Sequence, residues 1–325
     1  MSHDPHLVLK HLSQELDYQP EVVGAQLEVA RQQVVVGGMG GSALPALLLQ
    51  QLRPELPLAV HRSYDLPTGI TDGTLCIAIS HSGNTAESLS FVQQVHQRGF
   101  DAAVITTGGK LLEFARQHGL THVQIPADDI QPRYATGYLL KALSALLGLD
   151  QLNADLSAAA VDLRSSEQNQ QLAKDMVVTL SGKLPIIYGP TSQAALAHSW
   201  KIKFNETTKI PAFMNVFPEL NHNEFTGFDV VDSTRGISQN LCFLMIDDRI
   251  DDRISARIEI TATILHDKGY KVVLLPHDGA NKLKALFNGI ALADWTTLLL
   301  AEDYGVEPFA VPMVEDLKTR LADRG

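Results

Sequence analysis

One pattern recurs along this chain: a short aliphatic run, a turn, then a longer amphipathic stretch. In the first half the runs at 34–36, 75–79 and 103–106 alternate with helix-like stretches at 43–52, 86–97 and 111–117. The second half repeats the order, with runs at 185–188, 241–246 and 272–275 followed by stretches at 193–204, 255–267 and 282–287. Strands and helices alternating at these lengths predict βαβ units, hence an α/β fold with parallel sheets covered by helices on both faces. The correspondence is closest where Thr74-Leu75-Cys76-Ile77 matches Asn240-Leu241-Cys242-Phe243, each opening a strand, helix, glycine, strand series. We read two similar doubly wound domains, residues 1–152 and 153–325. Residues 150–183 lack strand signals and suit a helical connection of two helices interrupted near Ser165.

Composition narrows the function classes. The 325 residues carry 26 Lys+Arg against 37 Asp+Glu, a formal net charge of −11, which disfavours unspecific binding to nucleic acid or an anionic membrane. Residues 1–20 have no apolar core of a secretory signal, and no uninterrupted apolar run reaches a membrane span of about 18 residues. Cys76 and Cys242 each lie inside an apolar strand-like run, where a free thiol behaves as a small buried hydrophobe. A soluble protein of a reducing cytoplasm is expected.

Two turns could carry chemistry. Val34-Val35-Val36-Gly37-Gly38-Met39-Gly40-Gly41-Ser42-Ala43 runs a strand through glycines into a helix and satisfies the G-x-G-x-x-A form of a dinucleotide fingerprint. The next strand, however, ends in His61-Arg62-Ser63 without the ribose-binding acid. NAD is therefore disfavoured, NADP is left only Arg62, and glycines that merely permit a tight turn remain an alternative. The second turn, Ser80-His81-Ser82-Gly83-Asn84-Thr85, brings three hydroxyls to a helix start, where backbone N–H groups and the dipole favour an anion. Ordinary helix capping by Ser and Thr is the competing reading. Two hydroxyl-bearing turns in one sheet, at Ser42 and at 80–85, favour a single phosphate pocket.

In the second half Glu206 falls at the end of a helix closed by Pro211. The negative dipole end disfavours its ionisation, as suits a general base, whereas pairing with Lys203 or Lys209 would make it a surface carboxylate. His222 lies in a polar loop between Asn221 and Asn223. The acids Asp247, Asp248, Asp251 and Asp252 lack the glycine and terminal Glu of a calcium loop and read as a solvated helix start.

Taken in order, Gly-Gly-Met-Gly-Gly-Ser, Ser-x-Ser-Gly-Asn-Thr, Gln131-Pro132-Arg133 and Asn205-Glu206 resemble motifs of the bifunctional phosphoglucose/phosphomannose isomerases. Glu219-Leu220-Asn221-His222-Asn223-Glu224 and Leu317-Lys318 complete the resemblance to this family, which is built from two sugar isomerase (SIS) domains. The resemblance runs from about Gly37 to Lys318. It implies that Gly41, Ser42, Ser80, Ser82 and Thr85 hold a sugar 6-phosphate and that Glu206 shuttles a proton between C1 and C2. Arg133 would stabilise the cis-enediolate, and His222 and Lys318 would open the ring, with His222 donated across a homodimer interface. The implied reaction interconverts glucose 6-phosphate and fructose 6-phosphate without metal, nucleotide or other cofactor. A non-catalytic SIS phosphosugar sensor is the alternative; it would need the 80–85 turn but not Glu206, Arg133 and His222 together. Two departures stand out. His81 replaces a Tyr common in the phosphate turn, and 306–312 (Val-Glu-Pro-Phe-Ala-Val-Pro) lacks the small hydroxyl residue linked to acceptance of mannose 6-phosphate, which leaves that epimer open.

Overall fold

The computed structural model describes residues 5–25, 27, 33–127, 130–163, 167–275 and 281–322. The first sheet is built from β1 (Gln33–Gly37), β2 (Leu58–His61), β3 (Thr74–Ser80), β4 (Asp101–Thr106) and β5 (Thr121–Gln124). Between and around these strands run α1 (Pro5–Asp17), α2 (Leu44–Leu52), α3 (Ala86–Gln97), α4 (Gly109–Gln117) and α5 (Thr136–Leu146). Two connecting helices follow, α6 (Asp150–Leu163) and α7 (Glu167–Leu180); the interruption expected near Ser165 lies outside the described residues. The second sheet contains β6 (Leu184–Pro190), β7 (Phe213–Phe217), β8 (Leu241–Ile246) and β9 (Lys271–Leu275). Its helices are α8 (Ala194–Thr207), α9 (Arg235–Ser238), α10 (Asp252–Asp267), α11 (Lys282–Asp303) and α12 (Pro312–Ala322).

All strand pairs are parallel, in the orders β2-β1-β3-β4-β5 and β7-β6-β8-β9. Parallel strands buried on both faces read as continuous apolar runs, and all seven residues of β3 are buried. Alternation sorts their side chains onto two sides. Val34, Val36, Ile77 and Ile79 of the first sheet share one core with Ile187, Leu244 and Ile246 of the second, through α1, α5, α6, α7, α8 and α11. Val35, Cys76 and Ala78 turn the other way, onto Phe91, Val92 and Val95 of α3 and Leu111 and Ala115 of α4. Phe243 and Met245 likewise face Ile258 and Leu265 of α10. The two sheets thus share a central helical layer and are not two separate globules. The position of the functional residues relative to one another follows from that layer.

Several sequence expectations change. The stretch expected at 282–287 is the start of α11, a helix of 22 residues. By length and composition α11 could cross a membrane, but 72% of its apolar window is buried in the shared core. Strands β5 and β7 and helix α1 carried no readable signal: the strands are short, and β7 has only one fully buried residue, Phe217. The acids before α10 are not all solvated. Asp251 is the half-buried N-cap, accepting from the Arg253 N–H, and its carboxyl is held down at about 2, chiefly by the Arg253 side chain. Asp247 and Asp248 are buried, and the Ser255 hydroxyl and the Arg249 N–H donate to Asp247 Oδ1. Cys76 and Cys242 are free and buried as expected, with burial pushing their thiols up to about 12 and about 11.

Candidate active site

The first sheet's strand order turns around between β1 and β3, whose connections leave in opposite directions. In an open α/β sheet this switch point is where the loops at the strands' C-terminal ends form a crevice. Both hydroxyl-bearing turns lie there. Ser42 Oγ accepts from the His81 N–H at 3.0 Å, tying the turn after β1 to the turn after β3. Ser80 Oγ and Thr85 Oγ1 are hydrogen-bonded at 2.9 Å, Gly83 N donates to Ser80 Oγ at 3.1 Å, and Asn84 N donates to Ser82 Oγ at 3.3 Å. Thr85 is the N-cap residue of α3, yet its hydroxyl bonds to Ser80 and not to the helix N–H groups. Simple side-chain capping is therefore not what this turn does. The Ser42 and Ser82 oxygens accept from backbone, and a hydroxyl that accepts still has its own hydrogen to give to an anion.

Two glycines make these contacts possible. Gly83 has φ +67°, and a Cβ there would lie 1.8 Å from the Gly108 carbonyl oxygen in the turn after β4. A Cβ at Gly41 would lie 2.8 Å from Pro132 C and 2.9 Å from Arg133 N. The glycine-rich turn therefore rests on the short 3₁₀ turn Pro132–Tyr134, which carries Arg133 into the start of α5. The phosphate-type crevice and the arginine are in backbone contact.

Arg133 is 2% exposed. Its Nη1 donates to Glu206 Oε2 at 3.0 Å, its Nε to Thr207 Oγ1 at 3.3 Å and its Nη2 to the Pro308 carbonyl at 2.6 Å. The guanidinium thus joins three segments far apart in sequence, and its planar fork presents the donors in fixed directions. Tyr134 supports it from one side: the guanidinium carbon lies 4.9 Å from the ring centroid and Lys203 Nζ lies 5.0 Å from it, while the hydroxyl bonds to Thr207 Oγ1 at 2.9 Å. Burial, reinforced by the Asp294 carboxylate, pushes the Tyr134 phenol up to about 12. Asp294, on α11, ion-pairs with Lys203, both side chains almost fully enclosed. Breaking a buried pair by removing one partner costs about 3–5 kcal/mol, so this pair fixes α8 against α11 behind the site.

Glu206 occupies the last turn of α8, as the sequence predicts, with its side chain 36% exposed. Its partner is neither of the neighbouring lysines. Lys203 is committed to Asp294, and Lys209 points its ammonium at the main-chain oxygens of Glu206, Pro308 and Ala310, the last at 2.5 Å. Burial and the nearby Arg133 charge lower the Lys209 pKa. Together Arg133 and Lys209 bind the 308–310 segment to the end of α8. An open cleft of about 530 Å³ begins at Glu206 and runs between α8 and the glycine-rich turn, with Met39, Gly40, Arg62, His198, Lys201 and Asn205 among its walls.

The structure brings together Gly41, Ser42, Ser80, Ser82 and Thr85 in one crevice, and Arg133 with Glu206 beside it. The two remaining residues named from the sequence are elsewhere. His222 is exposed at the end of the 3₁₀ turn Glu219–His222 after β7, and no described contact joins it to Arg133 or Glu206. Lys318 sits on α12, ion-paired with Glu315 at 2.9 Å, on a helix whose residues 312–321 are all exposed. Sequence reasoning missed Tyr134, Thr207 and Asp294, and considered Lys209 only as a partner of the Glu206 carboxylate. Tyr134 and Thr207 adjoin named residues and could have been flagged by that; Asp294, inside an apolar helix and 91 residues from its partner, gave no local signal.

A switch-point hydroxyl crevice facing an arginine–carboxylate pair on a duplicated parallel α/β scaffold defines a two-domain protein of the sugar-isomerase type. Residues 169–321 match the model of the bacterial phospho-glucose isomerase C-terminal SIS domain. The chain belongs to the bifunctional phosphoglucose/phosphomannose isomerase family. A protein of that name from Caldicellulosiruptor bescii is 36% identical over 308 residues, covering 89% of each chain. Another from Aquifex aeolicus is 32% identical over 293 residues, covering 89% of this chain and 90% of its own. Among solved structures, a hypothetical protein of Thermus thermophilus superposes with a TM-score of 0.70 at 18% identity, covering 98% of this chain and 87% of its own, which shows the shared fold.

The close approaches at the crevice set the cost of substitution there. A residue forced into the left-handed region costs about 1–2 kcal/mol, and Gly99, with φ +74° and open space around it, should cost about that much as Gly99→Ala. Gly83→Ala adds a clash with a carbonyl oxygen and should exceed that cost by about 1 kcal/mol or more in urea melts. Equal midpoints for the two variants would mean that the 80–85 turn is not held against the turn after β4.

Proposed function

We propose that this chain is an aldose–ketose isomerase that interconverts glucose 6-phosphate and fructose 6-phosphate by proton transfer through a cis-enediolate. The observation that carries the reading is the buried Arg133 guanidinium 3.0 Å from the Glu206 carboxylate, in backbone contact with a hydroxyl crevice suited to a phosphate. The crevice, formed by Gly41, Ser42, Ser80, Ser82 and Thr85 of the domain of residues 1–152, holds the 6-phosphate through neutral donors. The carbonyl end of the opened sugar then lies at Glu206, in the domain of residues 153–325. Glu206 takes the C2 proton of the aldose and returns it to C1 of the ketose. Arg133, beside Glu206, would stabilise the negative charge that develops on O1 and O2 as the enediolate forms.

Ring opening needs an acid and a base beyond Arg133 and Glu206. His222 and Lys318 are exposed and away from their own chain's centre, which supports a homodimer in which His222 of the partner subunit completes the site, with Lys318 assisting. Phe309 packs on Tyr134 at a ring separation of 5.8 Å, in the segment where the family resemblance expects a small hydroxyl. That supports a preference for glucose 6-phosphate over mannose 6-phosphate. The two free buried thiols support a cytoplasmic site of action.

Glu206→Gln should abolish turnover in a coupled assay while calorimetric binding of fructose 6-phosphate stays within a few-fold. Undiminished turnover would sink the assignment, and binding without turnover by the wild type would return the chain to the sensor reading. The shared site has its own test. Glu206→Gln and His222→Asn, each inactive alone, should regain about a quarter of wild-type activity after mixing and subunit exchange, since half the dimers are mixed and each has one intact site. No recovery after verified exchange would place His222 in its own subunit's site or outside the chemistry.

A further inference from the structure

Apart from Glu206, the charged side chains that line the cleft between α8 and the glycine-rich turn are cationic. His198, Lys201 and Asn205 follow one another at i, i+3 and i+7 on the face of α8 that lines it, and Arg62 enters from the opposite side, directly after β2. In a chain with 37 acids and 26 bases, Glu206 is the only carboxylate among the residues lining this cleft. Neither Arg62 nor Lys201 forms an ion pair among the described residues. Burial and the two cations push the His198 imidazole down to about 4, so its ring stands neutral between them and can donate or accept a hydrogen bond without adding charge. Arg62 and His198 also line a larger adjoining cavity of about 600 Å³, so the cleft is not closed off there.

The spacing identifies what such a wall could hold. The phosphate crevice lies at the end of β3, and Arg62 follows β2, two strand positions away across β1. At about 4.8 Å per strand the two lie roughly 10 Å apart, near the separation of the two phosphates on an extended six-carbon sugar. Along α8, Lys201 stands five residues before Glu206, about 7.5 Å by helical rise, within reach of a phosphate esterified to O1 of the sugar end placed at Glu206. We propose that Arg62, His198 and Lys201 form a second anion subsite, which takes a phosphate at the C1 end of a hexose whose 6-phosphate occupies the switch-point crevice. Such a bisphosphate is a competitive ligand and not a substrate, because esterification of O1 removes the group that becomes the aldose carbonyl. The subsite rests on the isomerase reading, since it uses that reading's placement of the 6-phosphate.

The probes are two open-chain, unreactive compounds, hexitol 6-phosphate and hexitol 1,6-bisphosphate, titrated calorimetrically into the wild type and into an Arg62→Gln/Lys201→Gln variant. The wild type should bind the bisphosphate at least about tenfold more tightly than the monophosphate, and the double variant should bring the two affinities within about twofold by weakening the bisphosphate alone. Equal affinities in the wild type would overturn the subsite and leave the isomerase site intact. An advantage that survives in the variant would overturn the assignment to Arg62 and Lys201. Binding of neither compound by the wild type would sink the phosphate crevice, and the subsite with it.

Discussion

A single buried guanidinium organises this molecule. Arg133 comes from the turn between the first sheet and α5, and its donors reach Glu206 and Thr207 at the end of α8 and the Pro308 carbonyl near the C-terminus. Burying an arginine is costly unless its charge and N–H groups find partners, and here the end of α8 supplies two and the segment at Pro308 a third. The ion pair therefore requires the start of α5 and the end of α8 to be packed together, and the Pro308 carbonyl adds a third segment to the same guanidinium. The same geometry leaves the cation beside the carboxylate proposed to move the proton.

The shared helical layer explains why that register is dependable. Inward-facing residues of both sheets enter one core through α5, α8 and α11, and the enclosed Lys203–Asp294 pair fixes α8 against α11 directly behind Tyr134. The candidate site lies where turns of the first sheet meet a helix of the second half, with the hydroxyl crevice on one and the Glu206 carboxylate on the other. The net charge of −11 says nothing about this region. Around the cleft the local balance is positive, with Arg62 and Lys201 against Glu206.

Most of the scaffold is legible in the sequence because parallel strands buried on both faces read as unbroken aliphatic runs, as 75–79 does. The strands that escape are those whose burial is partial. In β7, Phe213 is 56% exposed and only Phe217 is fully enclosed, so no pattern distinguishes it from a loop. The hydroxyl crevice is legible because most of its hydroxyls are local, with Ser80, Ser82 and Thr85 within six residues of one turn. Glu206 is legible as a carboxylate at a helix end, but its partner is not, since Arg133 lies 73 residues away and two lysines stand nearer in sequence. Those lysines serve other acceptors, which only tertiary packing decides. Asp247 and Asp248 illustrate the reverse error: an acidic cluster looks solvated in sequence, and the fold encloses half of it with Ser192 and Ser255 as donors.

If Glu206 moves a proton while Arg133 holds the enediolate, the isomerisation of glucose 6-phosphate in D₂O leaves a trace that NMR of the product can read. A carboxylate base that exchanges with solvent during the lifetime of the intermediate predicts deuterium at C1 of the fructose 6-phosphate formed. Complete retention of the original C2 hydrogen at C1, over many turnovers and without any solvent label, would contradict proton transfer by Glu206 and point to direct hydride transfer between the two carbons.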